Sequence, residues 1–140
     1  MAKHIWTIAS ILCAQVLEEK DGSLSAIRIA DRLLVDRPDS SLLINQAIPV
    51  ASIQGLFVMR GDESGDHTFQ VKIISPTGKE LQEGEKLQIR LEGPSKGMNL
   101  NSRLLLEIRE EGLYWIDVYL NDEVSVRVPL EVVFQSPRLG

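Results

Sequence analysis

GLYWIDVYLNDEVSVRVPLEVVF, residues 112–134, decides the fold. Going out, Tyr114, Ile116, Val118 and Leu120 share one parity. Coming back, Val124, Val126, Val128, Leu130 and Val132 share one too, with Ser125, Arg127 and Glu131 on the other. A strand turns successive side chains to opposite faces, so this period of two marks two strands, each burying one face. Their register follows from the need to bury both apolar rows on the same side. A two-residue loop, Asn121-Asp122, sets Val118 opposite Ser125 and sends the rows apart. A three-residue loop, Asn121-Asp122-Glu123, sets Leu120 opposite Val124 and Val118 opposite Val126, and is the one expected. It puts Glu123 at a left-handed position, a mild strain that a bulge elsewhere would relieve.

The rest of the chain extends the pattern. Residues 5–17 are apolar on both parities and also carry a helical stripe, Ile5, Ile8, Leu12 and Val16. The Ile-Trp-Thr-Ile opening favours a long strand buried on both faces. Residues 18–23 hold Asp21-Gly22 and read as a turn, and residues 24–34 set Ile27 and Ile29 around Arg28 as a second strand. Residues 36–46 are the least readable, with Arg37-Pro38-Asp39-Ser40-Ser41 as loop. Pro49 then opens a strand running to Arg60. Residues 61–66 read as a polar hairpin loop, and residues 67–75 alternate Phe69, Val71 and Ile73 against Thr68, Gln70 and Lys72.

Pro76-Thr77-Gly78 suits a type I turn followed by a left-handed residue, which sets Ser75 opposite Lys79 and Ile73 opposite Leu81. Residues 86–92 direct Leu87, Ile89 and Leu91 inward, residues 93–97 form a loop, and residues 103–109 put Leu104, Leu106 and Ile108 on one face. Seven to eight strands with no convincing helix predict an all-β sandwich or barrel, and the antiparallel sandwich is the reading taken. One domain over residues 1–140 is expected, since a chain of this length buries about 68–70% of its unfolded surface.

Glu110-Glu111-Gly112-Leu113-Tyr114-Trp115-Ile116 resembles the corner of immunoglobulin-like and fibronectin-like sandwiches. The resemblance implies that the tyrosine hydroxyl ties back to upstream backbone. Ile116 stands where a disulfide-bearing immunoglobulin domain has cysteine, so the architecture is implied without the disulfide. End to end, the chain also resembles a bacterial domain-of-unknown-function family of small β-sandwich proteins. Ala9-Ser10-Ile11-Leu12-Cys13-Ala14, Asp21-Gly22-Ser23-Leu24-Ser25, Gly112-Leu113-Tyr114 and Val128-Pro129-Leu130-Glu131-Val132 carry that likeness. It implies a bacterial source and a stand-alone domain, and supplies no activity, substrate or site residue.

Composition narrows the function classes. Hydrophobic residues make up 44% and charged residues 25%, ordinary for a globular chain. The net charge is −5, with fifteen Lys and Arg scattered among twenty Asp and Glu. No basic run offers a footprint for nucleic acid, and an anionic membrane repels the molecule on average. No segment approaches the ~20 apolar residues of a membrane span. Cys13 is the single cysteine, so no intramolecular disulfide forms. Residues 5–12 make too short an apolar core for a secretory signal and lack an Ala-x-Ala site after them, and Leu12 is not the small residue that a lipoprotein cysteine requires before it. A cytoplasmic location is expected.

No chemistry converges in the sequence. Asp62, Ser64 and Asp66 offer oxygen ligands at alternate positions, as calcium loops do, but His67 and Ile73 stand where such loops carry glycine and glutamate. A solvated loop is the simpler account. His4 and His67 are the only histidines, too few for a zinc site. Cys13 sits in an apolar strand, where a thiol is ordinarily an inert core group. No Gly-x-Ser-x-Gly elbow occurs, and Gly78-Lys79 lacks the residues that complete a phosphate loop. Glu18-Glu19 and Glu110-Glu111 point opposite ways on extended chain, unlike a cooperating acid and base. No catalytic residue and no cofactor are expected, and the chain does not read as an enzyme.

The parity opposite the Tyr114 row is the informative one. It carries Leu113, Trp115 and Tyr119, with Arg127 and Val133 across the hairpin. The register brings Trp115 near residue 129 and Tyr119 near the turn. Trp, Tyr and Arg together are frequent anchors of protein interfaces. Coverage from within the fold, by residues 5–17, is the ordinary fate of such side chains. Left uncovered, they form a docking surface for a protein partner or a second copy. Pro129 cannot donate a ladder hydrogen bond, which predicts an edge or a bulge there. The function expected is a non-catalytic sandwich that binds another protein or self-associates. The alternative is a ligand- or cation-binding sandwich using loops 61–66 and 93–97.

Overall fold

The computed structural model describes residues 5–37 and 50–135. Within them the alternating segments form ten strands: β1 Ile5–Glu18, β2 Leu24–Ile29, β3 Arg32–Asp36, β4 Val50–Gly61, β5 Ser64–Ile74, β6 Glu80–Glu83, β7 Leu87–Glu92, β8 Met98–Glu107, β9 Gly112–Leu120 and β10 Glu123–Gln135. They pack as two sheets, β2-β1-β4-β8 and β3-β10-β9-β5-β6, with β7 beside the upstream part of β5. All pairs are antiparallel except β3 with β10, which is parallel. The all-β sandwich is therefore as read. His4, the loop at residues 38–41 and Pro49 lie outside the described residues.

The core lies between the sheets. Phe57, Leu104 and Leu106 enter from the first sheet, while Phe69, Ile73, Tyr114, Ile116, Val118, Leu130 and Val132 enter from the second. Phe57 and Phe69 meet across the gap with ring centroids 5.3 Å apart and planes tilted by 55°, a favoured arrangement for aromatic pairs. In β1, Leu12 and Cys13 are consecutive, so they face opposite sides, and both are buried.

The count exceeds seven to eight because residues 24–34 form two strands and Glu80–Glu83 adds a short one. Ala30 N donates to Leu12 O at 2.8 Å and stays with β1, whereas Glu131 N donates to Asp31 O at 3.0 Å and the chain continues into β3. The crossing between sheets falls between adjacent residues. Just before it, Arg28 adopts a left-handed backbone with φ 57°. It shares parity with Ala30, which packs against the core. A regular strand would turn the guanidinium inward; the left-handed step leaves Arg28 exposed, together with Ile27 and Ile29.

Residues 61–66 do not form a hairpin loop. β4 belongs to the first sheet and β5 to the second, so Asp62-Glu63 carries the chain from one layer to the other. Residues 93–97 make the return crossing from β7 to β8. At residues 76–78 the expected turn forms: Ser75 N donates to Lys79 O at 2.8 Å, and Gly78 takes φ 89°. A bulge between Ile73 and Ile74 then pairs Ile73 with Gln82 rather than Leu81.

The last hairpin corrects the expected register. Asn121 and Asp122 both take left-handed φ, 51° and 66°, the signature of a two-residue type I′ turn. Leu120 therefore pairs with Glu123, and Val124 with Tyr119. A bulge between Val124 and Val126 restores Val118 opposite Val126, and the apolar rows coincide from there onward. Val124 is left on Tyr119's side, 48% exposed. Although β10 as a whole lies between β9 and β3, Pro129 falls on a stretch of it that is an edge among the described residues, as its missing donor requires, and away from this bulge. β3 pairs only with Glu131 to Gln135, so at Pro129 the strand has β9 as its sole described partner.

Candidate protein interface

β9 is locked in place at its start. The Tyr114 hydroxyl donates to Glu110 O at 2.6 Å and the residue is 1% exposed, so the resemblance to the sandwich corner extends to its hydrogen bond. Burial raises the hydroxyl pKa above its ordinary value of 10.0. Gly112 precedes it with φ 138°, and a Cβ there would meet Pro76 Cβ at 2.9 Å. With Tyr114, Ile116 and Val118 held inward, Trp115, Asp117 and Tyr119 must face out.

On that outer face the register assembles three rows. Trp115 lies between Ile74 and Pro129, Asp117 between Lys72 and Arg127, and Tyr119 between Gln70 and Val124. Arg127 Nε donates to Asp117 Oδ1 at 2.8 Å, while its guanidinium sits 4.6 Å over the Trp115 ring. Lys72 Nζ sits 4.6 Å over the Tyr119 ring and lies 3.6 Å from Glu80 and 3.7 Å from Glu83. Gln70 Nε2 donates to Glu83 Oε1 at 3.1 Å and to Gly84 O at 2.8 Å. Each aromatic ring thus carries its own cation, and each cation its own carboxylate.

The structure brings Trp115, Tyr119 and Arg127 onto one face, as the parity requires. It also adds Asp117 and Lys72, which sequence reasoning did not single out. Both were marked only by parity: Asp117 sits between the two aromatic residues, and Lys72 on the matching parity of β5. The expected cover is absent, since β1 lies in the opposite sheet. Trp115 and Tyr119 are half-buried among neighbours on their own face, and exposed Leu34, Leu113 and Val124 flank them on the same sheet.

The other candidates disperse. Asp62 ends up in the crossing between sheets, Ser64 opposite Glu92, and Asp66 opposite Arg90, whose Nη1 lies 3.1 Å from the Asp66 carboxylate. Among the described residues no group of three or more His, Cys, Asp or Glu could hold a metal ion. Loops 61–66 and 93–97 do share one end of the sandwich, tied by Arg60 Nη1 donating to Pro94 O at 3.2 Å. His67 is buried beside the last turn, its Nδ1 2.9 Å from Asn121 Nδ2, while Asn121 Oδ1 accepts from Thr68 N at 3.1 Å. The histidine therefore helps hold the turn. Cys13 is fully buried, with Sγ 3.5 Å from Gln15 O. Among the described residues no helix is long and apolar enough to cross a membrane.

A family model described as Family of unknown function (DUF6941) matches residues 8–133. No curated protein matches the sequence. Among solved structures, β-glucosidase from Listeria innocua in complex with isofagomine is similar at a TM-score of 0.52 and 11% identity, over 97% of this chain and 17% of that one. Another structure of β-glucosidase from Listeria innocua gives 0.50 and 11%, over 97% and 16%. β-Glucosidase 3B from Thermotoga neapolitana in complex with glucose gives 0.43 and 14%, over 60% and 15%. The chain spans about one sixth of the length of the Listeria enzyme. At this identity the likeness extends to the fold alone.

Proposed function

The chain belongs to DUF6941, a family of unknown function, and we propose that it is a non-catalytic sandwich that binds another protein through the outer face of the β3-β10-β9-β5-β6 sheet. The anchors are Trp115, Tyr119 and Arg127. One observation carries the reading: the aromatic and cationic side chains of this face are already arranged by their own partners. Preorganised anchors lose little freedom on docking, which is where much of the cost of association lies. Because Arg127 and Lys72 are paired within the chain, the partner needs no opposing charge. It presents a largely neutral, apolar surface to Leu113, Val124 and the ring edges. The proposal includes a bacterial, cytoplasmic setting, consistent with the net charge of −5 and a single thiol.

The test combines Trp115→Ala with Tyr119→Ala in the full chain and measures affinity for a partner identified by crosslinking in the native host. Hot-spot truncations cost about 2 kcal/mol or more each, so binding falls by at least tenfold while the far-UV spectrum is kept. Hydrogen exchange of the wild-type complex must show protection on β9 and β10. Protection confined to other strands, or unchanged affinity in the double variant, defeats the proposal.

A further inference from the structure

Beyond that face, we propose that the chain dimerises by antiparallel pairing of β8 with β8 of a second copy. An edge strand presents a row of unpaired backbone donors and acceptors, and natural sheets blunt such edges with short strands, kinks, bulges, Pro or Lys. The other terminal strands of the two sheets follow that rule, and the partly unpaired stretches of β1 and β10 each carry a bulge. β2 has six residues and is bent by the left-handed Arg28. β3 has five residues. β6 has four and is separated from β7 by residues 84–86.

β8 follows the rule least. It runs ten residues, MNLNSRLLLE, without Pro, Gly or Lys and with Arg103 and Glu107 as its charges, and pairs with β4 in unbroken register from Val50–Glu107 to Met59–Met98. Among the described residues it has no other sheet partner. Leu105, on its outward parity, is 43% exposed. A long edge left open among the described residues is one that another strand can cover.

The sequence of β8 suits its own copy. A two-fold axis through Ser102 overlaps residues 98–106 and sets Ser102 against itself. Leu100 then meets Leu104 of the second copy, and Met98 meets Leu106, so the inner apolar row runs on through the junction. On the outer side Asn101 faces Arg103 of the second copy, and Asn99 faces Leu105. No like charges oppose one another. Moving the axis to Arg103 would set arginine against arginine, and moving it to Leu104 would shorten the overlap. Arg103 is exposed and donates its Nε to Ser52 Oγ of β4 at 2.9 Å. The dimer joins two four-stranded sheets into one and does not involve the Trp115 face.

Asn101 is exposed, so its charge can be changed without disturbing the monomer. Sedimentation equilibrium of the full-length chain is expected to show a monomer–dimer equilibrium. Asn101→Lys places two like-charge pairs across the junction and weakens the dimer roughly two- to thirtyfold; Asn101→Glu tightens it by a similar factor. Combining Asn101→Lys with Arg103→Glu restores opposite charges and recovers the affinity. Trp115→Ala leaves the dimer intact. A wild-type chain that stays monomeric at its solubility limit, a dimer indifferent to charge at position 101, or one dissociated by Trp115→Ala overturns the proposal.

Discussion

Replacing Arg127 by Ala measures what the Trp115 face does for the fold. The Asp117 side chain is 8% exposed and its carboxylate lies 2.8 Å from Arg127 Nε, while the arginine side chain is 48% exposed. A hydrogen bond to a charged group contributes about 1.5–3 kcal/mol; the half-exposed guanidinium puts this one near the lower end, about 1.5–2 kcal/mol. Loss of the guanidinium from over Trp115 adds about 0.5–1 kcal/mol. Lys72 pairs across the strand from Asp117, but its ammonium is engaged by Tyr119, Glu80 and Glu83. The expected destabilisation of Arg127→Ala is therefore about 2–3 kcal/mol. Equilibrium urea unfolding followed by far-UV circular dichroism measures it without relying on Trp115 fluorescence. In the Asp117→Asn background no carboxylate is stranded, and the same substitution is expected to cost only about 1 kcal/mol. Strict additivity of the two changes would refute the account, because it would mean that the buried acid does not depend on the arginine.

Two further outcomes probe the corner that aims β9. Gly112→Ala combines a φ of 138° with a 2.9 Å approach to Pro76 and is expected to cost at least about 2 kcal/mol, read as a lowered thermal midpoint. Tyr114→Phe loses the 2.6 Å bond to Glu110 O, about 1 kcal/mol at neutral pH. Burial raises the Tyr114 pKa above 10.0, so with rising pH the unfolded chain releases this proton first. Wild-type stability should then fall as pH climbs past that value, and Tyr114→Phe should lack this part of the alkaline loss, as checked by urea titrations at neutral pH and above pH 10.

Parity was legible in the sequence wherever one face is buried, and topology was not. The rows of Tyr114 and Leu130 face the core because a slip of one residue would expose every apolar side chain at once. The hairpin between them could not be read to the residue. A two-residue turn followed by a bulge and a three-residue loop without one give the same pairing from Val126 onward, and Val124 alone distinguishes them. The turn chemistry favoured the first, since Asn and Asp tolerate left-handed backbone far better than Glu does, and that preference outweighs burying one valine. Residues 61–66 and 93–97 were opaque for another reason: alternation says which face of a strand is apolar but not which sheet the strand joins. A polar link between two alternating segments can close a hairpin or cross between layers with the same residues. That ambiguity also hid the fate of Trp115. Residues 5–17 are apolar on both parities and could have covered it, yet β1 pairs with β4 in the other layer. Among the described residues the outward row of β9 draws on its own sheet, with Arg127 and Lys72 as lids over its rings. Rings capped by cations of their own sheet, among the described residues, are the physical ground of the proposal that this face docks a partner.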